Sequence, residues 1–362
     1  LGSSFTINDT LFNRQDFGFN ALQVALIFSE SMDTTHSPEL SFKENGISFT
    51  NPFILNGLQS AWSSDTSCII YYQLDNQEAT HLNVTIVLDS LRDKAQNAPP
   101  SSALIDIFDL DTERPQVLNI QPNANPAFDD QVGSANFEID LYFSEKMNIS
   151  NLPVLQILDG QLPANDFSYS LFQSNWINDS TFKAAFNLTD SNLEKDSLSL
   201  VVNFAQDAFM NNQLIDTLEN ALSLDTKNPS LQAFNANSYS IDDQTQQLSV
   251  LYLFDEDMDQ NTLPDIRFSD PLLNSLLIFN NSASQWYSAN LYEGVYDIQN
   301  TTANTQNVFA ILDDGKDLAG NVVNIDTMQS TFSFDLNGLG VSNKEPDQVF
   351  VIYPNPTEAA LG

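Results

Sequence analysis

Cysteine and histidine are almost absent from this chain. Cys68 is the single cysteine among 362 residues, which excludes an internal disulfide framework. The two histidines, His36 and His81, belong to one part of the chain and have no counterparts elsewhere in it. A hydrolytic triad needs a base beside a nucleophile and a third group that orients the base, and the sequence offers no such set. It also lacks a glycine-rich phosphate loop and zinc-binding spacing, so we predict that the protein is not an enzyme.

Basic residues and long apolar runs are scarce as well. Twelve Lys and Arg stand against 48 Asp and Glu, which gives a formal net charge of −36. Nucleic acids and anionic membrane surfaces need a basic footprint, so neither is an expected partner. No apolar run approaches the roughly 20 residues that cross a bilayer, so membrane insertion is not expected. The acidity favours an extracellular protein in salty or calcium-containing water, where salt screens the self-repulsion.

What the chain has in abundance is internal repetition. The sequence Phe-Ser-Glu-Ser-Met-Asp at residues 28–33 returns as Phe-Ser-Glu-Lys-Met-Asn at 143–148 and as Phe-Asp-Glu-Asp-Met-Asp at 254–259. Each copy ends a run that alternates like a half-buried strand. The inward positions of these runs are Leu22, Val24, Leu26 and Phe28, then Phe137, Ile139, Leu141 and Phe143, then Leu248, Val250, Tyr252 and Phe254. We expect the methionine of each copy to fold back onto the sheet as a plug.

Other landmarks recur in the same order. A tryptophan precedes a second alternating run in each copy, at Trp62, Trp176 and Trp286. Cys68 aligns with Phe182 and Tyr292 in that run, so we interpret it as a buried hydrophobe rather than a nucleophile. Each copy then reaches an aspartate with an asparagine four residues later, a turn in which short side chains cap the backbone. These pairs are Asp93 and Asn97, Asp207 and Asn211, and Asp317 and Asn321.

The seams between the copies are short and contain a proline. Residues 111–115 match residues 225–229, which favours a semi-rigid string over a flexible one. A period of about 110 residues, with short strands and polar turns, is the size of a β-sandwich domain. We therefore predict an all-β chain with three tandem units at 1–114, 115–228 and 229–336, a linker at 337–348 and a β-rich tail at 349–362. Because the chain begins where a repeat begins, we expect it to be part of a longer array.

The repeated Phe-Ser-Glu-x-Met-Asp turn, together with the late Asp-x-x-Gly-Asn turn, resembles the bacterial Ig-like domains of the S-layer SbsA type. The resemblance covers residues 1–336 and implies three Ig-like β-sandwiches. The departures are Asp255 in place of serine in the third unit, and Gln96 and Met210 in place of the late glycine in the first two.

The tail resembles the start of the C-terminal sorting domain that directs Bacteroidetes proteins through the type IX secretion system. The residues that carry this resemblance are Tyr353, Pro354, Asn355 and Pro356. It implies that the type IX machinery is a partner and that the protein is exported to the cell surface or beyond it. The match covers only the first strand of such a domain, because the sequence stops at Gly362.

Calcium is the one ligand that the acidic turns suggest. Ca²⁺ takes six to eight oxygen ligands from carboxylates, amides and backbone carbonyls. The alternative is that the turn residues are simply solvated, and carboxylates are so common here that no glycosidase pair can be singled out. The candidate calcium ligands at the turn tips are Glu30, Asp33, Glu145, Asn148, Glu256, Asp257 and Asp259.

Two functions of different classes remain open at this point. The first is a non-enzymatic stalk or fibre segment of a large secreted surface protein, such as an adhesin or appendage. Its partners would be neighbouring repeats and, through open edge strands, further copies in a homo-oligomer or filament. The second is the C-terminal spacer of a secreted hydrolase whose catalytic domain lies upstream. Carbohydrate binding by one sandwich is a third option, for which Tyr71, Tyr287 and Phe350 are the candidate residues.

Overall fold

The computed structural model describes residues 3–89, 91–98, 102–299 and 302–336. These residues form β-strands and four short 3₁₀ turns, and none of them lies in an α-helix. No helix in the described part is long and apolar enough to span a bilayer. The strands assemble into six sheets, two in each third of the chain, which confirms the predicted all-β fold. The predicted linker at 337–348 and the tail at 349–362, with Tyr353, Pro354, Asn355, Pro356 and Phe350, lie outside the described residues.

The first unit contains ten strands and one 3₁₀ turn, Arg14–Asp16. The strands are β1 (Ser3–Ile7), β2 (Leu11–Phe12), β3 (Gly18–Phe28), β4 (Glu39–Glu44), β5 (Ile47–Ser48), β6 (Phe53–Leu55), β7 (Ala61–Ser64), β8 (Ser67–Leu74), β9 (Thr80–Asp89) and β10 (Ser102–Asp111). One sheet has the order β1-β3-β8-β6, with β7 also paired to β8. The other sheet has the order β2-β10-β9-β4-β5.

The second unit contains nine strands and two 3₁₀ turns, Asp129–Gln131 and Leu171–Gln173. The strands are β11 (Val117–Pro122), β12 (Gly133–Phe143), β13 (Val154–Asp159), β14 (Leu162–Pro163), β15 (Phe167–Tyr169), β16 (Asn175–Trp176), β17 (Thr181–Leu188), β18 (Glu194–Asn203) and β19 (Asp216–Asp225). One sheet has the order β11-β12-β17-β15, with β16 paired to β17, and the other has the order β14-β13-β18-β19.

The third unit repeats this plan with one 3₁₀ turn, Leu273–Ser275. The strands are β20 (Leu231–Ala236), β21 (Ser240–Asp242), β22 (Gln247–Phe254), β23 (Asp265–Phe268), β24 (Leu277–Phe279), β25 (Gln285–Ser288), β26 (Leu291–Ile298), β27 (Ala303–Asp313) and β28 (Asp326–Leu336). Its sheets have the orders β20-β22-β26-β24, with β25 paired to β26, and β21-β28-β27-β23.

The strand order is that of an immunoglobulin-like sandwich. Strands β11, β12, β17 and β15 correspond to A, B, E and D of an Ig domain, and β13, β18 and β19 correspond to C, F and G. In the first and third units a short strand, β2 or β21, also pairs in parallel with the last strand of its unit. A single parallel bridge between Ala127 and Leu224 takes that place in the second unit. The chain is therefore a tandem array of Ig-like sandwiches.

Each unit has a hydrophobic core of its own. The alternation along β3 buries Leu22, Val24 and Leu26, and the predicted inward positions of β12 and β22 are buried in the same way. The buried apolar side chains form three clusters, and each cluster draws its residues from one unit. Truncating a large side chain in such a core to alanine typically costs about 2–5 kcal/mol. The predicted boundaries at 114 and 228 fall between β10 and β11 and between β19 and β20.

The methionines of the repeated turn are plugs, as the sequence predicts. Met32, Met147 and Met258 are all buried in the cores of their units. Cys68 is buried too, and burial raises the pKa of its thiol to about 11, so the thiolate nucleophile is disfavoured. The three tryptophans are only partly buried and pack against the edge of each core.

Candidate functional site

The late aspartate–asparagine turn is built in the same way in all three units. In the second unit the Asp207 carboxylate accepts hydrogen bonds from the backbone N–H of Asn211 at 2.8 Å and from its Nδ2 at 2.8 Å. Asn97 donates the same two bonds to Asp93, and Asn321 donates them to Asp317. The four-residue spacing is therefore a self-capping turn, as predicted.

The methionine turn lies directly beside this late turn. A backbone bridge joins Met147 to Asp207, and equivalent bridges join Met32 to Asp93 and Met258 to Asp317. The residue two positions before each methionine is a glutamate. This pairing therefore places Glu145 close to Asp207, although 62 residues separate them in the sequence.

The preceding unit completes the site at the first junction. The Nδ2 of Asn211 donates to the backbone carbonyl of Asp111 at 2.9 Å, and the backbone N–H of Arg14 donates to Asn211 Oδ1 at 2.9 Å. Carboxylate oxygens of Asp111, Glu145 and Asp207 lie within 4.8 Å of one another. We call this set the first acidic cluster, and it joins the last strand of the first unit to two turns of the second.

Burial and mutual repulsion raise the pKa values of the first acidic cluster. Desolvation, followed by the charges of Asp111 and Asp207, raises the pKa of Glu145 to about 8. Desolvation also raises the pKa of Asp207 to about 6 and raises that of Asp111. None of the three forms an ion pair with a lysine or arginine among the described residues. Within the part of the chain that the structure describes, the cluster is therefore a set of carboxyl groups without a counter-ion.

The second junction repeats the cluster with one added cation. Asp225, Glu256 and Asp317 bring carboxylate oxygens within 4.8 Å of one another, and we call them the second acidic cluster. Asn321 Nδ2 donates to the backbone carbonyl of Asp225 at 2.9 Å, as Asn211 does to Asp111. Here Lys227 Nζ lies 3.1 Å from a carboxylate oxygen of Glu256. The pKa of Glu256 is raised by burial to about 6 only, because Lys227 opposes the shift.

A second difference lies in the 3₁₀ turn that faces each late turn. Arg14 in the first unit donates from Nη1 to the backbone carbonyl of Thr112 at 2.6 Å. The matching Asp129 in the second unit accepts a hydrogen bond from Asn228 Nδ2 at 2.9 Å, and burial raises its pKa. The backbone N–H of Asp129 donates to Asn321 Oδ1 at 3.0 Å, as that of Arg14 does to Asn211. The backbone contact is therefore kept while the side-chain charge changes sign.

The sequence identified two members of these clusters and missed four. Glu145 and Glu256 are among the predicted calcium ligands, and the structure brings each into a cluster. The others, Asp111 and Asp207 and then Asp225 and Asp317, were recognised only as seam and turn landmarks. Their recurrence at matched positions was the available signal, but nothing local in the sequence shows that a seam aspartate reaches the next unit.

The remaining predicted ligands lie outside both clusters. Asp33, Asn148 and Asp259 cap their own turns, since each accepts a hydrogen bond from the backbone N–H two residues later, at 3.0, 3.1 and 3.0 Å. Asp257 is exposed, and Glu30 occupies in the first unit the turn position that Glu145 has in the second. The calcium prediction for these five residues stays a prediction.

The donor set of each cluster fits a divalent cation. Oxygen ligands about 2.4 Å from one Ca²⁺ ion lie at most about 4.8 Å apart, and the carboxylate oxygens of each cluster lie within 4.8 Å of one another. Asp111, Glu145 and Asp207 would hold the ion at the first junction, and Asp225, Glu256 and Asp317 at the second. A bound cation would also offset the repulsion between carboxylates, which adds to burial in raising the carboxyl pKa values.

The two candidate carbohydrate-binding tyrosines among the described residues, Tyr71 and Tyr287, do not share a surface. The Tyr287 side chain is exposed and its hydroxyl donates to Glu293 Oε2 at 2.6 Å, whereas Tyr71 is partly buried in the first unit. The two rings belong to different units and form no shared aromatic platform. Carbohydrate binding stays an untested prediction.

Comparisons with known proteins identify no family, and a solved structure is only weakly similar to this chain. No family model matches the sequence, and no curated protein matches it. Among solved structures, the chain is similar to the crystal structure of Dpr2 Ig1-Ig2 in complex with DIP-Theta Ig1-Ig3, at 8% identity and a TM-score of 0.29. That match covers 91% of this chain and 98% of the other, and at such a score it carries no functional argument.

Proposed function

We propose that the chain is a non-enzymatic spacer, a segment of a stalk or fibre that holds its Ig-like units at fixed distances and angles. The observation that carries this proposal is the asparagine bridge at each junction. Asn211 and Asn321 each bond their own late turn and the last strand of the preceding unit. A flexible linker would not need a side chain that serves two units at once.

The Asn211 and Asn321 side chains are buried, so the loss of their hydrogen bonds should cost free energy. Asn211 is 1% exposed and Asn321 is 0% exposed. Removing a buried hydrogen-bonding side chain leaves its partners unsatisfied and costs about 1–3 kcal/mol. That cost would fall on the orientation of the units rather than on their cores, because the bonded carbonyls of Asp111 and Asp225 lie at the junctions.

The proposal includes calcium at the two acidic clusters. Each cluster takes one carboxylate from one unit and two from the next, so a bound ion would clamp the junction. Burial and the neighbouring carboxylates raise the pKa values of Glu145, Asp207 and Glu256, so the negative form of each carboxyl group is disfavoured until a cation binds. Calcium would therefore stiffen the array, and its removal would loosen it.

Secretion and surface attachment belong to the same proposal. They are supported by the charge of −36 and by the tail that resembles a type IX sorting domain. Lateral assembly into a filament follows from the open edge strands of the sheets, and electron microscopy of the native material tests it. A catalytic domain upstream in the gene would favour the hydrolase-spacer alternative, and further Ig-like repeats would favour the fibre.

Small-angle X-ray scattering of the whole chain tests the junctions. We expect the double variant Asn211→Ala and Asn321→Ala to broaden the distribution of interatomic distances, because the units become free to reorient. Asn97→Ala is the matched control, since it breaks the same self-capping turn in the first unit, where Asn97 contacts no preceding unit of this chain. Equal scattering from the control and the double variant would contradict the spacer proposal.

A further inference from the structure

The second junction contains an aromatic contact that the first junction lacks. The Phe128 ring of the second unit packs on Gly320 of the third, where an added Cβ would lie 2.9 Å from Phe128 Cε2. Gly320 has a φ of +112°, so its lack of a side chain serves both the turn and this close approach. The matching residues at the first junction are Asn13 and Met210. Asn13 has no ring, and its Oδ1 accepts a hydrogen bond from the backbone N–H of Gln15 at 2.7 Å within its own unit.

Opposite charges draw the units together at the second junction. Lys227 Nζ of the second unit lies 3.2 Å from a carboxylate oxygen of Asp255 and 3.1 Å from one of Glu256, both in the third unit. Glu113 takes the position of Lys227 at the first junction, and its charge is among those that raise the pKa of Glu145. Among the described residues no ion pair crosses the first junction.

A hydrogen bond ties the seam to the body of its unit at the second junction. Asn324 N–H donates to the Pro229 carbonyl at 3.1 Å. Among the described residues no such bond joins the matching pair, Leu214 N–H and the Pro115 carbonyl. A cleft with a volume of about 420 Å³ lies there instead, lined by Glu78 of the first unit, by the seam and by the chain that leads into β19. The first two units therefore leave a gap on this side of their junction.

A buried side chain in the wall of this cleft favours its opening. Gln213 is only 7% exposed, yet neither its Oε1 nor its Nε2 has a hydrogen-bond partner among the described residues. An unpaired buried amide keeps its desolvation penalty, and it regains hydrogen bonds from water only if the wall around it opens. The matching residue of the third unit is Val323, which is buried without such a penalty. The closed arrangement is therefore opposed at the first junction and not at the second.

We infer that the first junction is the joint at which the array bends, and that contacts within the protein lock the second junction. Bending about the Asn211 bridge widens the cleft and lets water reach the Gln213 carboxamide. The hydrogen bond of 2.8 Å from Arg114 Nη1 to the Asn212 carbonyl is exposed, so it limits the bending without preventing it. This inference deepens the spacer proposal, on which it rests, because it states which junction fixes the angle between its units.

The test is a double electron–electron resonance measurement on the full chain in EDTA, so that the inference does not depend on calcium. Nitroxide labels are attached after Leu58→Cys, Phe172→Cys and Ser282→Cys in a Cys68→Ala background. These three sites are exposed and hold the same position in matched loops of the three units. The Leu58 and Phe172 sites span the first junction, and the Phe172 and Ser282 sites span the second. We expect a broad distance distribution across the first junction and a narrow one across the second.

Two sets of variants should shift these distributions in opposite directions. Gln213→Val removes the buried amide and should lower the population of bent molecules about tenfold, the equivalent of about 1.4 kcal/mol. Gln213→Met, which preserves the shape, should act in the same way if Gln213→Val proves poorly folded. The double variant Phe128→Ala and Lys227→Met should broaden the distribution across the second junction. Gln156→Val and Phe309→Ala remove exposed side chains and, as matched controls, should change neither distribution.

The two distributions distinguish a failure of this inference from a failure of the spacer proposal. Narrow distributions at both junctions would overturn the bending joint and leave the spacer function standing. Broad distributions at both junctions overturn the inference, and if they stay broad after calcium is added they overturn the spacer function as well. A broader distribution at the second junction than at the first also overturns the inference. So does a first junction that is as broad in Gln213→Val and Gln213→Met as in the parent, or a second junction that stays narrow in the double variant.

Discussion

The first and second junctions use one backbone plan with different side-chain charges. In both, an asparagine bridges to the preceding strand and three carboxylates gather within 4.8 Å. Glu113 stands at the first junction where Lys227 stands at the second, and the Lys227 ammonium pairs with Glu256 and Asp255. The asparagine hydrogen bonds that position the units are therefore shared by the two junctions. The side chains that balance the carboxylate charge differ between them.

This difference decides which junction depends more on an external cation. Lys227 supplies part of the counter-charge at the second cluster, so the pKa of Glu256 rises to about 6. No described lysine or arginine pairs with the first cluster, and the pKa of Glu145 rises to about 8. A divalent cation therefore has more repulsion to relieve at the first junction than at the second.

Removal of calcium gives the largest expected effect. A ligand at a hundredfold excess over its Kd stabilises the folded state by about 2.7 kcal/mol per site, so chelation should lower the melting temperature. Isothermal titration calorimetry should find two sites, with the tighter one lost in Glu145→Gln and the weaker one lost in Glu256→Gln.

Glu30→Gln is the control for both measurements, because Glu30 holds the same turn position in a unit with no preceding partner in this chain. An unchanged melting temperature after chelation would end the calcium proposal. So would equal calcium binding by the parent and by the double variant Glu145→Gln and Glu256→Gln.

The free energy of unfolding should change over a wider pH range because of the first junction than because of the second. Without calcium, the Glu145 carboxyl is protonated in both states below its ordinary pKa of 4.5. Above that pH the unfolded chain releases the proton while the folded chain keeps it, so this group's contribution to the free energy of unfolding falls as the pH rises to about 8. We expect a loss of about 2 kcal/mol, less than the full shift gives, because water reaches part of the side chain.

Chemical denaturation in EDTA between pH 4.5 and 8 measures this loss. Glu145→Gln should remove it. Glu256→Gln should remove only a decline between pH 4.5 and about 6, since the pKa of Glu256 rises less. If Glu145→Gln kept the pH slope of the parent chain above pH 6, the assignment of the raised pKa to Glu145 would be wrong.

Local periodicity was enough to predict the sandwich cores. Alternation identified the inward faces of β3, β12 and β22, and the fixed distance from phenylalanine to methionine identified the plugs. The four-residue spacing of Asp207 and Asn211 predicted a capped turn. These features depend on neighbours within a strand or turn, where the sequence order and the contacts coincide.

Contacts between distant segments were not predictable in this way. Asp111 meets Asp207 only because two units pack end to end, and no periodic pattern encodes that approach. Inside the third unit, Gly294 makes room for three tyrosines, and an added Cβ would lie 3.2 Å from the Tyr252 ring. Gly294 lies two residues after Tyr292 in the second alternating run, so it shares the inner face, but alternation does not show which larger partners it accommodates.

Lys227→Met gives the smallest expected effect and tests the comparison most directly. It removes the charge that lies 3.1 Å from Glu256 and 3.2 Å from Asp255 while keeping a long apolar side chain. Because Lys227 is partly exposed, we expect the free energy of unfolding in EDTA at pH 7 to fall by only about 1 kcal/mol. Calcium affinity at the second junction should rise at the same time, because the competing ammonium is gone.

Lys146→Met, which removes an exposed lysine paired with Asp179 at 3.6 Å, should change neither quantity appreciably. A lower calcium affinity in Lys227→Met would contradict the view that Lys227 stands in for a cation at this junction.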